Sequence, residues 1–572
     1  MSNSSDLPGE QPKSIWTRPI KVKFGKLAES LGKGAIAGAF GNWAGVAGSG
    51  VDALKALGLG GQEVEAIAWM LVQRSLLQAM SDLAAPYQKD LTQEPDFAQL
   101  CEQLDTALEE GSLTLSPEFF DRPKDLEILG AVNMPYRRWL QTCGLPKTEA
   151  EAIAGRLPTH FVFALNEQWR SHPQEYAVLK DRLDTPFTKA TERERAWMRY
   201  GAWLQRRVDE PMFAEAFSLR QIYVPLRAYF LRAEKGEAAE ARRLAEGRER
   251  EKERVVVELE RQLLDWLDHA KVGDTVRVIC GGPGSGKSSF SKMLAAKLVA
   301  EEPTQRPLSV LFIPLHQLRD LSNDLSSTID EFIQSDLDGM LPPNPLEKEN
   351  AAKRLLLVFD GLDELAMQGK IAAQVAQDFI KEVKGSLLRF NRNEVRVLAL
   401  MSGREVVVQA SQNEFRQEGQ VLHVLPYIQL EAELEKHRYI DEHRLLNRDQ
   451  RQDWWRRYGK LKGQSYEGMP DELAQDSLAE ITAQPLLNYL VALSHDRGAL
   501  VFSEEPNLNA VYADLLKRVY SRDWESYPHP ELGKISETNF VRLLEEIAVA
   551  CWHGTGGRRQ SSKLKTAAAA KL

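Results

Sequence analysis

The sequence predicts a multidomain chain of the α + α/β class: a helical N-terminal region, a central domain built on a parallel β-sheet, and a C-terminal helical domain. Three observations predict it. From Thr275 to Leu425, apolar strand-like runs alternate with helical segments, the pattern of a parallel sheet covered on both faces. One of those runs leads into a glycine-rich loop that opens a helix. On either side, apolar residues recur at helical spacing and are punctuated by Pro and Gly. The 572 residues exceed one ordinary domain, since roughly 100–200 residues make a domain.

Composition narrows the class. The chain is 43% hydrophobic and 27% charged, with a formal net charge of -9. That is globular protein rather than a disordered chain, and the acidic balance argues against a dedicated nucleic-acid binder. Cys101, Cys143, Cys280 and Cys551 are far apart and form no CxxC pair, so the spacing suggests neither a disulfide framework nor a zinc site. With no secretory signal evident, the expected location is the cytoplasm.

The elements follow in order. Residues 1–61 are first basic and then glycine-rich, with an uncharged run from Gly34 to Val51. Small-xxx-small spacing there fits packing against a membrane or another copy. Poor helix propensity and the polar Asn42 favour a packed segment of a water-facing domain instead. Residues 62–232 read as helices, an effector or adaptor region, with Val64, Ile67 and Leu71 on one face and stops at Pro117, Pro123, Pro135, Gly144–Pro146 and Pro173. Residues 233–270 read as a charged linker helix: Glu246 and Arg250 pair at i,i+4, and Val256, Leu259, Leu263 and Trp266 form its docked end. Heptads are not sustained, which argues against a coiled coil. Residues 271–430 carry the strands Val276–Cys280, Leu308–Ile313, Leu355–Asp360, Val395–Ser402 and Val421–Leu425. Residues 431–535 read helical, and Trp454 and Trp455 lie in an aromatic–basic run that reads as one helix with its rings inside and its arginines outside.

Chemistry concentrates in the central domain. Gly281-Gly282-Pro283-Gly284-Ser285-Gly286-Lys287-Ser288 matches GxxxxGK[ST] in full, between a strand and a helix. Glycines let backbone N–H groups wrap phosphates with no Cβ in the way, and the helix N-terminus adds partial positive charge. Ser289 continues the loop into that helix. Lys287 is placed to reach the β- and γ-phosphates and Ser288 to ligate Mg2+. The motif predicts a P-loop NTPase module for ATP or ADP with magnesium. In LLLVFDGLDEL, Asp360 ends a buried strand, 73 residues after Lys287, and reads as the second carboxylate holding the metal. Asp363 and Glu364 follow, and one of them, Glu364 before Asp363, is placed to polarise the attacking water. Val395–Arg404 is another buried strand run, whose Arg404 is placed to sense a γ-phosphate.

DGLDE after the strand, with a second strand ending in Ser402-Gly403-Arg404, resembles the NACHT family of STAND P-loop ATPases. These are signalling proteins related to animal inflammasome and plant resistance proteins. The resemblance is specific over 271–430 and extends more loosely through Gln484-Pro485-Leu486-Leu487, which is similar to the family's proline motif; Ile222–Leu226 is similar to a segment preceding the ATPase in bacterial members. It implies that Pro485 packs near the adenine, that hydrolysis is slow and resets a switch, and that the ATP-bound form becomes a homo-oligomer in response to a trigger such as a phage or host protein, in antiphage defence. Relatives place a winged helix next, with a histidine on the ADP β-phosphate. Residues 536–553 resemble its start, His529 and His553 are histidines only nearby in sequence, and 554–572 form a low-complexity tail. A truncated chain that binds nucleotide without cycling, and a nucleotide-dependent transcriptional or scaffold regulator, are the alternatives.

Overall fold

The computed structural model describes residues 64–87, 122–183, 185–212, 216–232, 253–301, 307–318, 324–336, 339–365, 372–415, 417–496 and 535–553, with isolated positions between them. The Gly34–Val51 run, Pro117, Glu246, Arg250, His529 and the 554–572 tail lie outside them.

The N-terminal region is helical, as expected. Its main helices are α1 (Val64–Ala84), α2 (Glu127–Thr142), α3 (Leu157–Ser171) and α4 (Glu192–Arg207). Leu71, Val72, Tyr136, Trp139, Leu157 and Phe161 close a core of their own. Pro135 does not stop a helix but sits buried inside α2; packing of Tyr136 and Trp139 outweighs the roughly 3 kcal/mol that an interior proline costs. The α4 N-terminus carries a capping box between Thr191 and Glu194. Its Tyr200 is fully buried, and its hydroxyl accepts the backbone N–H of Phe312 at 3.0 Å, which seats the N-terminal region on the central domain.

Eight strands form one sheet: β1 (Arg227–Arg232), β2 (Glu253–Glu258), β3 (Val276–Cys280), β4 (Ser309–Pro314), β5 (Leu355–Asp360), β6 (Val397–Gly403), β7 (Val421–Val424) and β8 (Tyr439–Ile440). Their order is β4-β5-β6-β3-β7-β1-β2-β8. The five strands from β4 to β7 are parallel neighbours, as the alternating pattern predicts. The sheet is mixed beyond them, because β1 runs antiparallel to β7 and to β2.

Two expectations are therefore corrected. Residues 62–232 are not helical throughout, since β1 closes them. Residues 233–270 are not one helix: Glu253–Glu258 is strand β2, and the helix α5 spans Leu259–His269. Three consecutive valines prefer an extended chain, and β1 supplies their partner. The docked end is as read, with Leu259, Leu263 and Trp266 buried. Residues 431–535 also contain the short strand β8.

Helix α6 (Lys287–Leu298) follows β3, and α7 (Ala372–Phe390) precedes β6. In the C-terminal helical domain, α8 (Gln450–Lys462) buries Trp454, Trp455 and Tyr458, and the indole N–H of Trp455 donates to Asn488 of α9 (Pro485–Asp496) at 3.1 Å. The rings thus face inward. Arg456 and Arg457 are exposed, but Arg451 is buried, held by Asp449 and by Thr482 Oγ1 at 2.8 Å. Glu537–His553 is a further helix. Among the described residues no helix is long and apolar enough to cross a membrane.

Candidate functional site

The site lies at the carboxyl edge of the parallel strands, where the chain leaves β3, β5 and β6. Strand β3 is fully buried, so its last residue delivers Gly281 to a fixed point. The loop that follows is wound by two glycines in the left-handed region, Gly284 at φ +71° and Gly286 at φ +90°. A Cβ on Gly281 would stand 2.9 Å from Ser285 Oγ and would have to displace that hydroxyl. Gly286 is the N-cap of α6 and offers no side-chain acceptor to the helix's first N–H groups. That leaves them to an anion. Gly282, Pro283 and Ser288 are exposed, while Gly284 and Ser289 are half-buried.

Lys287 Nζ folds back over the loop and donates to the carbonyls of Gly281 and Gly282, both at 2.9 Å. Burial lowers its pKa, with Asp363 opposing the shift. Asp360 is 8% exposed at the end of β5. Burial raises its pKa, while hydrogen bonds from Ser402 and Ser288 favour the carboxylate. Strand β6 lies between β5 and β3, so its own end fills the gap between the two halves of the site. There Ser402 Oγ donates to Asp360 Oδ1 at 2.5 Å and accepts the N–H of Gly361 at 3.0 Å. Arg404 Nε pairs with Asp363 Oδ2 at 2.6 Å, and Glu364 Oε2 lies 3.1 Å from His316 Nδ1.

The C-terminal helical domain reaches this loop directly. The Leu486 N–H donates to the carbonyl of Gly284 at 3.2 Å, and Pro485 Cγ lies 3.8 Å from where a Cβ on Gly286 would be. On the other side Leu226 Cδ1 approaches that position to 3.3 Å. Both flanking motifs therefore converge on the loop.

The structure thus gathers Lys287, Ser288, Asp360, Asp363, Glu364, Arg404 and Pro485 around one edge. Three partners were not visible in the sequence pattern: Ser402 as the link between strands, His316 on Glu364, and Leu486 on Gly284. Each joins residues far apart in the chain, and only the strand order and the helical-domain seat bring them together. Ser288 and Asp360 fit magnesium, because a hydroxyl and a buried carboxylate meet at the start of α6 as hard oxygen donors. When bound, the metal would neutralise phosphate charge.

A loop so shaped, aimed by a buried strand at a helix start and faced by a buried aspartate, marks a P-loop NTPase, a protein that binds and hydrolyses nucleoside triphosphates. Family comparison is more specific: residues 275–427 match the NACHT domain, and residues 16–219 match NACHT N-terminal Helical domain 3. The chain belongs to the NACHT family of STAND NTPases. No curated protein matches it.

Proposed function

We propose that this chain is an ATP/ADP switch: it binds ATP with Mg2+, hydrolyses it slowly, and couples nucleotide state to the seat of its helical domain. The observation that carries this reading is the Leu486 N–H bond to the Gly284 carbonyl. It ties the phosphate-binding loop to a domain far along the chain, so a change at the loop is felt there. The Arg404–Asp363 pair supports it, because a γ-phosphate would compete with Asp363 for the guanidinium. Homo-oligomerisation of the ATP-bound form in the cytoplasm, in response to a phage or host trigger, is the role the family resemblance favours, within antiphage defence.

The test begins with nucleotide extracted from the purified full chain. Wild type is expected to retain ADP, and Lys287→Ala to retain none. Light scattering with a non-hydrolysable ATP analogue should report a larger assembly than with ADP. Equal retention by Lys287→Ala would sink the site assignment. Rapid multiple turnover with no difference in mass would sink the switch.

A further inference from the structure

A second cluster of donor atoms stands on the other flank of β3, away from Asp360. Strand register builds it. Cys280 ends β3 and is paired across the parallel ladder with His423 of β7, so their side chains share one face. Cys280 is also paired with Gly403 of β6, and Glu405 follows two residues later at the start of a short helix. The thiol sulfur, an imidazole nitrogen and a carboxylate oxygen of these residues all lie within 4.8 Å of one another.

We propose that Cys280, His423 and Glu405 bind a divalent transition metal of the zinc class, at a site separate from the magnesium site. Sulfur, nitrogen and oxygen donors together suit zinc and exclude the hard cations magnesium and calcium. Around a tetrahedral zinc, with bonds of about 2.0–2.3 Å, such donors stand about 3.3–3.6 Å apart. The widest donor pair then has at most about 1.5 Å to close, and the imidazole and carboxylate already stand 3.4 Å apart. Two features prepare the imidazole. Its ring stacks on Tyr229 with centroids 4.8 Å apart and planes at 10°, fixing its orientation. Its buried Nδ1 lies 3.4 Å from Glu405 Oε1, a long contact that turns the two candidate ligands towards each other. A metal between them would accept both as ligands.

The three ligands line one cavity of about 400 Å³, together with Gly281 and Gly282. Three protein ligands facing a cavity leave a fourth position open, the arrangement of reactive rather than purely structural zinc. Arg254, which lies 4.7 Å over the Tyr229 ring, brings positive charge to this cavity, and Glu433 and Glu480 bring negative charge. Binding displaces the thiol proton to solvent. The bound ion would join the ends of β3, β6 and β7 directly beneath the phosphate loop. The proposal does not depend on the switch reading.

The test uses the full chain stripped with chelator and titrated with Co2+. Expected are one equivalent bound, a sulfur-to-cobalt charge-transfer band, and its loss when Zn2+ is added. Cys280→Ser should abolish the band, and Glu405→Gln or His423→Ala should weaken Co2+ binding at least about tenfold. Ser288→Ala, which removes the magnesium ligand, should keep the band. If Cys280→Ser fails to fold, wild type and Glu405→Gln, altered at an exposed side chain, decide the matter. Absence of the band in wild type, its survival in Cys280→Ser, or unchanged affinity in Glu405→Gln overturns the proposal.

Discussion

Replacing Ser402 by Ala tests how the two halves of the nucleotide site are joined. Ser402 is 1% exposed, and its hydroxyl serves two buried partners, Asp360 Oδ1 and the Gly361 N–H. Alanine fits the space but leaves both without that partner. Losing a hydrogen bond to a charged group costs about 1.5–3 kcal/mol, and an unsatisfied buried N–H about 1–3 kcal/mol. Asp360 keeps its bond from Ser288, so the sum is taken near the lower ends, about 2.5–4 kcal/mol of stability. The carboxylate also loses its better placement. If the lost bond of about 1.5–3 kcal/mol acts on the transition state, hydrolysis falls about 10- to 150-fold. Affinity for nucleotide without Mg2+ should change little, because the loop and Lys287 are untouched. The assays are ATP turnover over a range of Mg2+ and denaturant unfolding of both proteins. Wild-type turnover, Mg2+ dependence and stability in Ser402→Ala would refute the argument that this hydroxyl holds the site together.

Gly284→Ala should weaken nucleotide retention and loosen the helical domain. The left-handed φ costs about 1–2 kcal/mol for alanine, and the new Cβ would stand 3.1 Å from Leu486 Cβ; the loss is read by retained ADP. Glu364→Gln should lower turnover about 10²- to 10⁴-fold, the range for a positioned acid–base group, with binding isotherms unchanged. His160 gives a pH test in the N-terminal region. Burial, with Arg206 and Arg156 nearby, holds its pKa well below 6.5, so below pH 6.5 the unfolded chain binds the extra proton. Stability present above that pH is lost as pH falls towards the folded value, by up to about 1.4 kcal/mol per pH unit. Denaturant midpoints measured from pH 7.5 downwards should fall more steeply in wild type than in His160→Leu.

The phosphate loop was legible because its chemistry is local. Eight consecutive residues carry it, and β3 and β5 begin and end where their apolar runs do. Strands buried on both faces write themselves as unbroken apolar stretches. Strands β1 and β2 do not. RAYFLR and ERVVVE are short and flanked by charge, and each becomes a strand because the other pairs with it, from Arg227 with Glu258 to Arg232 with Glu253. The helical spacing of Leu259, Leu263 and Trp266 is real, but it continued backwards through Val256 into residues that pairing claims for the sheet. Arg227 was equally silent. It is buried, and it donates to the carbonyls of Leu445, Arg448, Pro426 and Tyr427 at 2.5–2.8 Å, binding β1 to the end of the central domain and the start of the helical domain. Contacts that depend on strand order have no signature in local spacing.

The loop is gripped from two directions, by Leu226 from before the sheet and by Pro485 and Leu486 from after it. This bears on how a nucleotide could act at a distance. A ligand moves a conformational equilibrium only by the difference in its affinity for the two states. Phosphates would take N–H groups of the loop while Leu486 holds its Gly284 carbonyl, so nucleotide and helical domain act on the same short stretch of backbone through different groups. The contact on the loop is modest: one neutral hydrogen bond of about 0.5–1.5 kcal/mol and the contacts of two apolar side chains. A shift from 1:99 to 99:1 requires about 5.5 kcal/mol. A charge-assisted contact such as Arg404 with a γ-phosphate contributes about 1.5–3 kcal/mol, and it replaces the pair with Asp363 rather than adding to it. No single contact at this edge is large enough to throw the switch. The loop, Arg404 and the Leu486 seat would have to change together, which is why the residues joining them, Ser402 foremost, matter as much as those that touch the phosphates.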